Sequence, residues 1–132
     1  MTEPVEVSVL IDARPSTIFP FLVDPEKIVE WMGTAAKLDP RPGGVFHVDV
    51  HSQAIASGEF VEVVPDKRVV FTFGWENNDG VPPGTTTVEI ELTPQGERTE
   101  VHLRHSNLPD ENACREHTAG WEYHLQRLVA VF

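Results

Sequence analysis

The sequence predicts a single α+β domain in which a curved antiparallel sheet wraps one long C-terminal helix. Three observations carry this. Val5, Val7, Val9 and Ile11 alternate with Glu6, Ser8 and Asp12, the period-2 pattern of a strand burying one face. From Ala35 to Ser106 the chain reads as strands separated by turn residues, with no helical period long enough to compete. From about Pro109 to Phe132 the period changes. At 100° per residue, Cys114, Thr118, Trp121, Leu125, Leu128 and Phe132 fall on one stripe, flanked by His117 and Val129, while Glu116, Ala119, Tyr123, Gln126 and Arg127 take the opposite face.

Between the first strand and the meander, Pro15 and Pro25 each open a short helix, and Asp24 stands where the cap of the second belongs. Pro20 lacks an N–H to return to the preceding turn, so the first of these two helices should be short or distorted around Ile18, Phe19, Phe21 and Leu22. Within the meander, Pro42-Gly43-Gly44 introduces the strand Val45–His51. Gly58 marks a bulge or bend inside Ala54–Val64, and Pro65-Asp66-Lys67 turns the chain into Arg68–Glu76. The polar, Pro/Gly-rich loop from Asn77 to Gly84 follows, and Thr85–Thr93 and Thr99–Ser106 form a last pair. Gly120 costs about 1 kcal/mol relative to Ala inside a helix, which implies a packing reason for its presence.

Composition narrows the partners. The 132 residues suffice for one hydrophobic core and not for two. With 10 Lys+Arg against 21 Asp+Glu the formal charge is -11, which excludes nucleic acid and anionic membrane surfaces as natural partners. The lone Cys114 rules out an internal disulfide and a cysteine-built zinc site, and it fits a reducing compartment. The opening Met-Thr-Glu-Pro-Val-Glu has no basic stretch followed by an apolar one, and no run of about 18 apolar residues occurs, so the expected location is cytoplasmic.

Several local motifs in order resemble one family. They are Ala13-Arg14-Pro15 through Phe19 to Asp24-Pro25-Glu26 and Trp31; Arg41-Pro42-Gly43-Gly44; Gly58 through Pro65; Arg68 through Phe73; and His117-Thr118-Ala119-Gly120-Trp121. Together they span essentially the whole chain and are similar to the Hsp90-ATPase-activator-homologue-like (AHSA1-like) branch of the START/Bet v 1-like SRPBCC superfamily. The resemblance implies a helix-grip fold with a deep apolar cavity between the sheet and the final helix. It also implies a range of functions: lipid and hormone carriage, polyketide cyclisation, antibiotic sequestration and chaperone co-regulation. Two departures stand out. Pro20 is unexpected in the first helix, and the last residue, Phe132, implies a short grip helix with one cavity end more open.

Candidate ligand contacts follow from the inward aromatic and apolar positions. Phe46, Val48 and Val50 share one strand face and Phe71, Phe73 and Trp75 another, both facing the Trp121 stripe. Trp31, Met32, Phe46, Val48, Phe73, Trp75, Cys114, His117, Thr118 and Trp121 are the residues expected to line a cavity, with the plain hydrophobic core as the alternative role for the apolar ones. His117, one turn before Trp121, is the titratable group best placed to hydrogen-bond a ligand or move a proton. The alternative is a histidine anchored to backbone near the helix start. Cys114 would be a nucleophile only with His117 as its base, and is otherwise a small buried hydrophobe. His47, Asp49 and His51 alternate along one strand about 6.8 Å apart, which puts His47 and His51 about 13 Å from each other, too far to share a metal without a bend. No metal site is expected. His102 and His105 fall on opposite faces of their strand, and the strand glutamates belong to a solvated outer face rather than a paired-carboxylate site.

The leading expectation is therefore a binding module that holds a hydrophobic small molecule between sheet and helix, with no cofactor, as a monomer or homodimer. The second is a cyclase or dehydratase using His117 as proton shuttle in the same cavity. The third, implied by the resemblance alone, is a modulator of a chaperone ATPase.

Overall fold

The computed structural model describes residues 2–51 and 54–132, so Met1, the first residue of the stretch read for a leader, lies outside the described residues. In chain order the elements are β1 (Val5–Ile11), α1 (Pro15–Ile18), α2 (Pro20–Val23), α3 (Pro25–Ile28), β2 (Ala35–Leu38), β3 (Val45–His51), β4 (Ala54–Val64), β5 (Arg68–Phe73), β6 (Thr86–Gln95), β7 (Arg98–Ser106) and α4 (Glu111–Val131). The strands make one antiparallel sheet in the order β1-β7-β6-β5-β4-β3-β2, and α4 lies across its inner face. This is the α+β arrangement of a curved sheet and a long final helix that the sequence predicts.

The helical segment differs from the expected pair of helices: it is three single turns. Each opens on a proline, whose absent N–H is harmless at the first helical position and whose ring stops the turn before it. The amide of Phe19 donates to the Pro15 carbonyl (2.8 Å), and Pro20 then starts a fresh turn instead of extending the first. Asp24 caps α3 as expected, its Oδ1 accepting from the Glu26 amide at 2.8 Å. Ile18, Phe21, Leu22 and Ile28 bury the inner side of this zigzag.

β5 ends at Phe73, three residues before the expected Glu76. Trp75 keeps only an isolated bridge to Ala56. The cause is Gly74, where an added Cβ would stand 1.8 Å from the Pro82 carbonyl oxygen, so the loop backbone presses directly on the chain there. The bulge in β4 falls at Val61, since Phe60 pairs with Phe71 and Glu62 with Val70, leaving Val61 without a partner. Gly58 serves another need: its missing Cβ admits the Thr72 carbonyl, which would lie 2.0 Å from it.

The core forms between the inner sheet face, the three turns and α4. Phe46 stacks on Phe71 (centroids 4.0 Å apart, planes at 13°), with Phe60 and Phe73 against the pair. From α4, Ala113, Trp121, Leu125 and Leu128 are buried. The helical stripe is thus right at its centre and shifted at its start, where Ala113 is buried and Cys114 and Thr118 are only half-buried. The far end of α4 is closed by Phe132 packing edge-on to Phe21, centroids 5.0 Å apart. The expectation for Gly120 is corrected, because a Cβ there would meet no atom within 4 Å and no neighbour requires the glycine.

Candidate functional site

Two tryptophan–histidine pairs meet where β5, β7 and α4 come together. Alternation along β7 carries Thr99, Val101 and Leu103 inward and carries His105 with them, fully buried. Trp121 of α4 donates its indole N–H to His105 Nδ1 at 3.0 Å. An indole N–H only donates, so His105 carries its proton on Nε2, which lies 2.8 Å from Thr86 Oγ1. Thr86 in turn donates its hydroxyl to the Phe73 carbonyl at 2.6 Å. Every polar atom of this chain of contacts has a partner, as burial demands. Burial, and next the neighbouring His117 imidazole, push the pKa of His105 down to about 3.

The second pair stands beside it at the surface. His117 Nδ1 lies 2.7 Å from the Ala113 carbonyl, one turn back in α4. A carbonyl only accepts, so this nitrogen carries the proton and Nε2 is left with a lone pair. Trp75 fills it, donating its indole N–H to His117 Nε2 at 2.9 Å. Two independent contacts therefore fix one tautomer of His117. The structure anchors one nitrogen of His117 to backbone, the alternative considered for it, and engages the other with Trp75.

Trp75 and His117 form part of the wall of a cleft of about 840 Å³. One side is the end of the β3–β4 hairpin with His51, Ala54 and Ile55; another is the loop from Glu76 to Val81; the third is the start of α4, from Pro109 to His117. The loop is shaped by Asn78, whose Oδ1 accepts from the amides of Gly80 (2.8 Å) and Val81 (3.1 Å). Asp110 caps α4 through the Ala113 amide (2.8 Å), which sets the helix start and with it the position of His117.

The other residues expected at a ligand site lie elsewhere. Trp31, Met32, Phe46, Val48, Phe73 and Trp121 are buried in the core and do not line this cleft. Trp31 is tied down by its indole N–H donating to the Phe21 carbonyl at 2.8 Å. Phe46, Phe60, Phe71 and Phe73 pack on one another in the core, and the cleft lies at the α4 N-terminal end. Thr118 turns its hydroxyl back to the Cys114 carbonyl (2.7 Å). Cys114 Sγ faces the Glu3 carbonyl (3.8 Å) beside a separate cavity of about 680 Å³. With both ring nitrogens of His117 engaged elsewhere, Cys114 and His117 do not form the nucleophile and base pair considered for them. His47 Nε2 lies 3.3 Å from Glu76, and His51 reaches the cleft alone. His105 and Thr86 were missed as site residues, although the alternation of β7 places His105 inward.

Residues 12–132 match the family described as Activator of Hsp90 ATPase homolog 1-like protein. No curated protein matches the chain. Among solved structures, an AHSA1-like protein of Rhizobium etli is 43% identical, with 98% of this chain and 82% of that one covered and a TM-score of 0.73. CalU16 of Micromonospora echinospora is 26% identical over 95% of this chain and 71% of its own, with a TM-score of 0.77. DynU16, described as a putative protein of the dynemicin biosynthetic locus, shares the fold at 23% identity and a TM-score of 0.86; 98% of this chain is covered, and it spans about half (47%) of that protein.

Proposed function

The chain belongs to the Activator of Hsp90 ATPase homolog 1-like protein family, and we propose that it is a small-molecule-binding protein that holds a largely apolar ligand in the cleft at the start of α4. The observation that carries this reading is the pairing of Trp75 with His117 in the wall of an open cleft of about 840 Å³. A large flat apolar face and one oriented ring nitrogen stand side by side there, and Ala54, Ile55, Val81 and Ala113 add apolar surface around them. Burial supplies the driving force at about 25 cal/mol per Å² of apolar area, and the polar groups of the wall fix orientation.

Two features favour binding over the alternatives. His117 Nε2 is held by Trp75, so the proton shuttle of an enzyme would have to be freed before it could act. The exposed large apolar residues Leu10, Val45, Val61, Tyr123 and Val131 fall on β1, β3, β4 and α4 rather than on one element, which gives little support to a chaperone-docking face.

Titration with the neutral fluorophore N-phenyl-1-naphthylamine tests the reading. Saturable emission is expected, weakened about tenfold or more in Ala54→Trp, which fills the cleft. No saturable binding would overturn a binding role. Equal binding by the variant would place the ligand elsewhere.

A further inference from the structure

The cleft wall is acidic. Glu76, Asp110 and Glu116 line it, and no Lys or Arg does among the described residues. Asn112, which could donate, already gives its Nδ2 to Glu116 at 2.6 Å. The side chains of His51, Asn77 and Asn78 also carry donors around the hairpin and loop, while beside His117 the donor is the indole N–H of Trp75, spent on His117 Nε2. That nitrogen is an acceptor of fixed tautomer, since Nδ1–H is committed to the Ala113 carbonyl at 2.7 Å and the ring cannot exchange the two without breaking that bond. A ligand that only accepts hydrogen bonds can meet the donors of the loop and hairpin but gains nothing at His117 Nε2. A ligand with an O–H finds a preformed lone pair, provided the Trp75 N–H yields it. Trp75 is half-buried and lines open space, so its N–H can turn to water when displaced.

Resting on the binding reading above, we infer that the ligand of this cleft is a neutral aromatic molecule carrying a hydroxyl donor, which displaces the Trp75 indole N–H and takes its place on His117 Nε2. The aromatic body lies along Trp75 and the apolar wall. Carboxylic acids are excluded twice. They are ionised near neutral pH and bring no donor, and they meet three carboxylates with no Lys or Arg among the described lining residues.

Three probes of one shape decide it: 2-naphthol, 2-methoxynaphthalene and 2-naphthoate, each titrated against the unmodified protein near neutral pH. The indole N–H resonances are followed by NMR, with that of Trp75 assigned through Trp75→Phe. 2-Naphthol is expected to bind about three- to tenfold more tightly than its methyl ether, the range a single net hydrogen bond provides, and naphthoate most weakly. The Trp75 N–H resonance should move on saturation with both, through the ring stacked on it, and markedly further with 2-naphthol, which alone breaks its bond to His117. In His117→Phe the preference for the hydroxyl should vanish. Equal affinity for naphthol and ether, or a Trp75 signal that moves no further with naphthol than with the ether, would overturn the inference while leaving the binding role intact. Failure of all three probes to bind would overturn both.

Discussion

The imidazoles of His105 and His117 stand edge to face, ring centroids 5.1 Å apart and planes at 90°, yet they share no hydrogen bond and each accepts one from a different tryptophan. Protonating His105 on its accepting nitrogen would expel the Trp121 N–H, so the inner pair resists acid, while the outer pair lines the cleft.

Acid sensitivity is the first expected consequence. The unfolded chain protonates His105 near pH 6.5, and the folded chain does so only near about 3. Between these values the unfolded state carries more protons. The contribution is therefore fully present above about pH 6.5 and is lost as pH falls toward 3, by at most about 1.4 kcal/mol for each pH unit. Urea melts across this range should show the loss. In His105→Phe the histidine part of the slope should disappear, and the buried Trp121 N–H, left without an acceptor, should cost about 1–3 kcal/mol at neutral pH.

Gly120→Ala should stabilise the protein by about 0.5–1 kcal/mol, because the added Cβ meets nothing within 4 Å and helix propensity then favours alanine. A rise in thermal midpoint checks this. A fall would show that Gly120 is needed for packing after all.

Gly74→Ala should have the opposite effect. Its Cβ would lie 1.8 Å from the Pro82 oxygen, a backbone atom that can move only with the whole loop. The expected loss is about 1–3 kcal/mol or more, with weaker binding of N-phenyl-1-naphthylamine because the loop from Glu76 to Val81 forms one side of the cleft. Denaturant melts and dye titration of the same sample measure both.

On the outer face, Arg68 of β5 binds Glu62 of β4 (2.6 Å) and Glu89 and Glu91 of β6 (3.1 and 2.9 Å). Arg68→Met would leave three neighbouring carboxylates without their shared cation. A loss of about 1 kcal/mol is expected at low salt. It should shrink in about 1 M NaCl, where charges are screened within about 3 Å. A salt-independent loss would show that packing of the Arg68 stem matters more than its charge.

Much of the fold was legible because strand alternation is a local property: Val5 and Ile11 are buried as their spacing requires, and His105 shares its phase with Val101 and Leu103. The three prolines likewise announced the helical turns, though reading Pro20 as a distortion rather than a fresh start gave two pieces instead of three. The site was only partly legible. Trp75 and His117 stood out as an aromatic and a titratable side chain, but their contact joins residues 42 positions apart. Whether Phe46, Phe71 and Phe73 would line a cavity or fill it depended on how three strands interlock, and their alternation is the same in either case. At the start of α4, Ala113 rather than Cys114 is buried, a rotation set by the Asp110 cap that ideal periodicity does not include.

The pairing of β1 with β7 sets Val5 opposite His105 and Ile11 opposite Thr99. Val5 and His105 lie 100 positions apart, so on the ribosome β1 is without its partner strand while the five strands between them are made. α4, which packs against β1, comes later still. Synthesis therefore passes through an interval in which the apolar alternation of β1 has neither its partner strand nor the helix that packs on it.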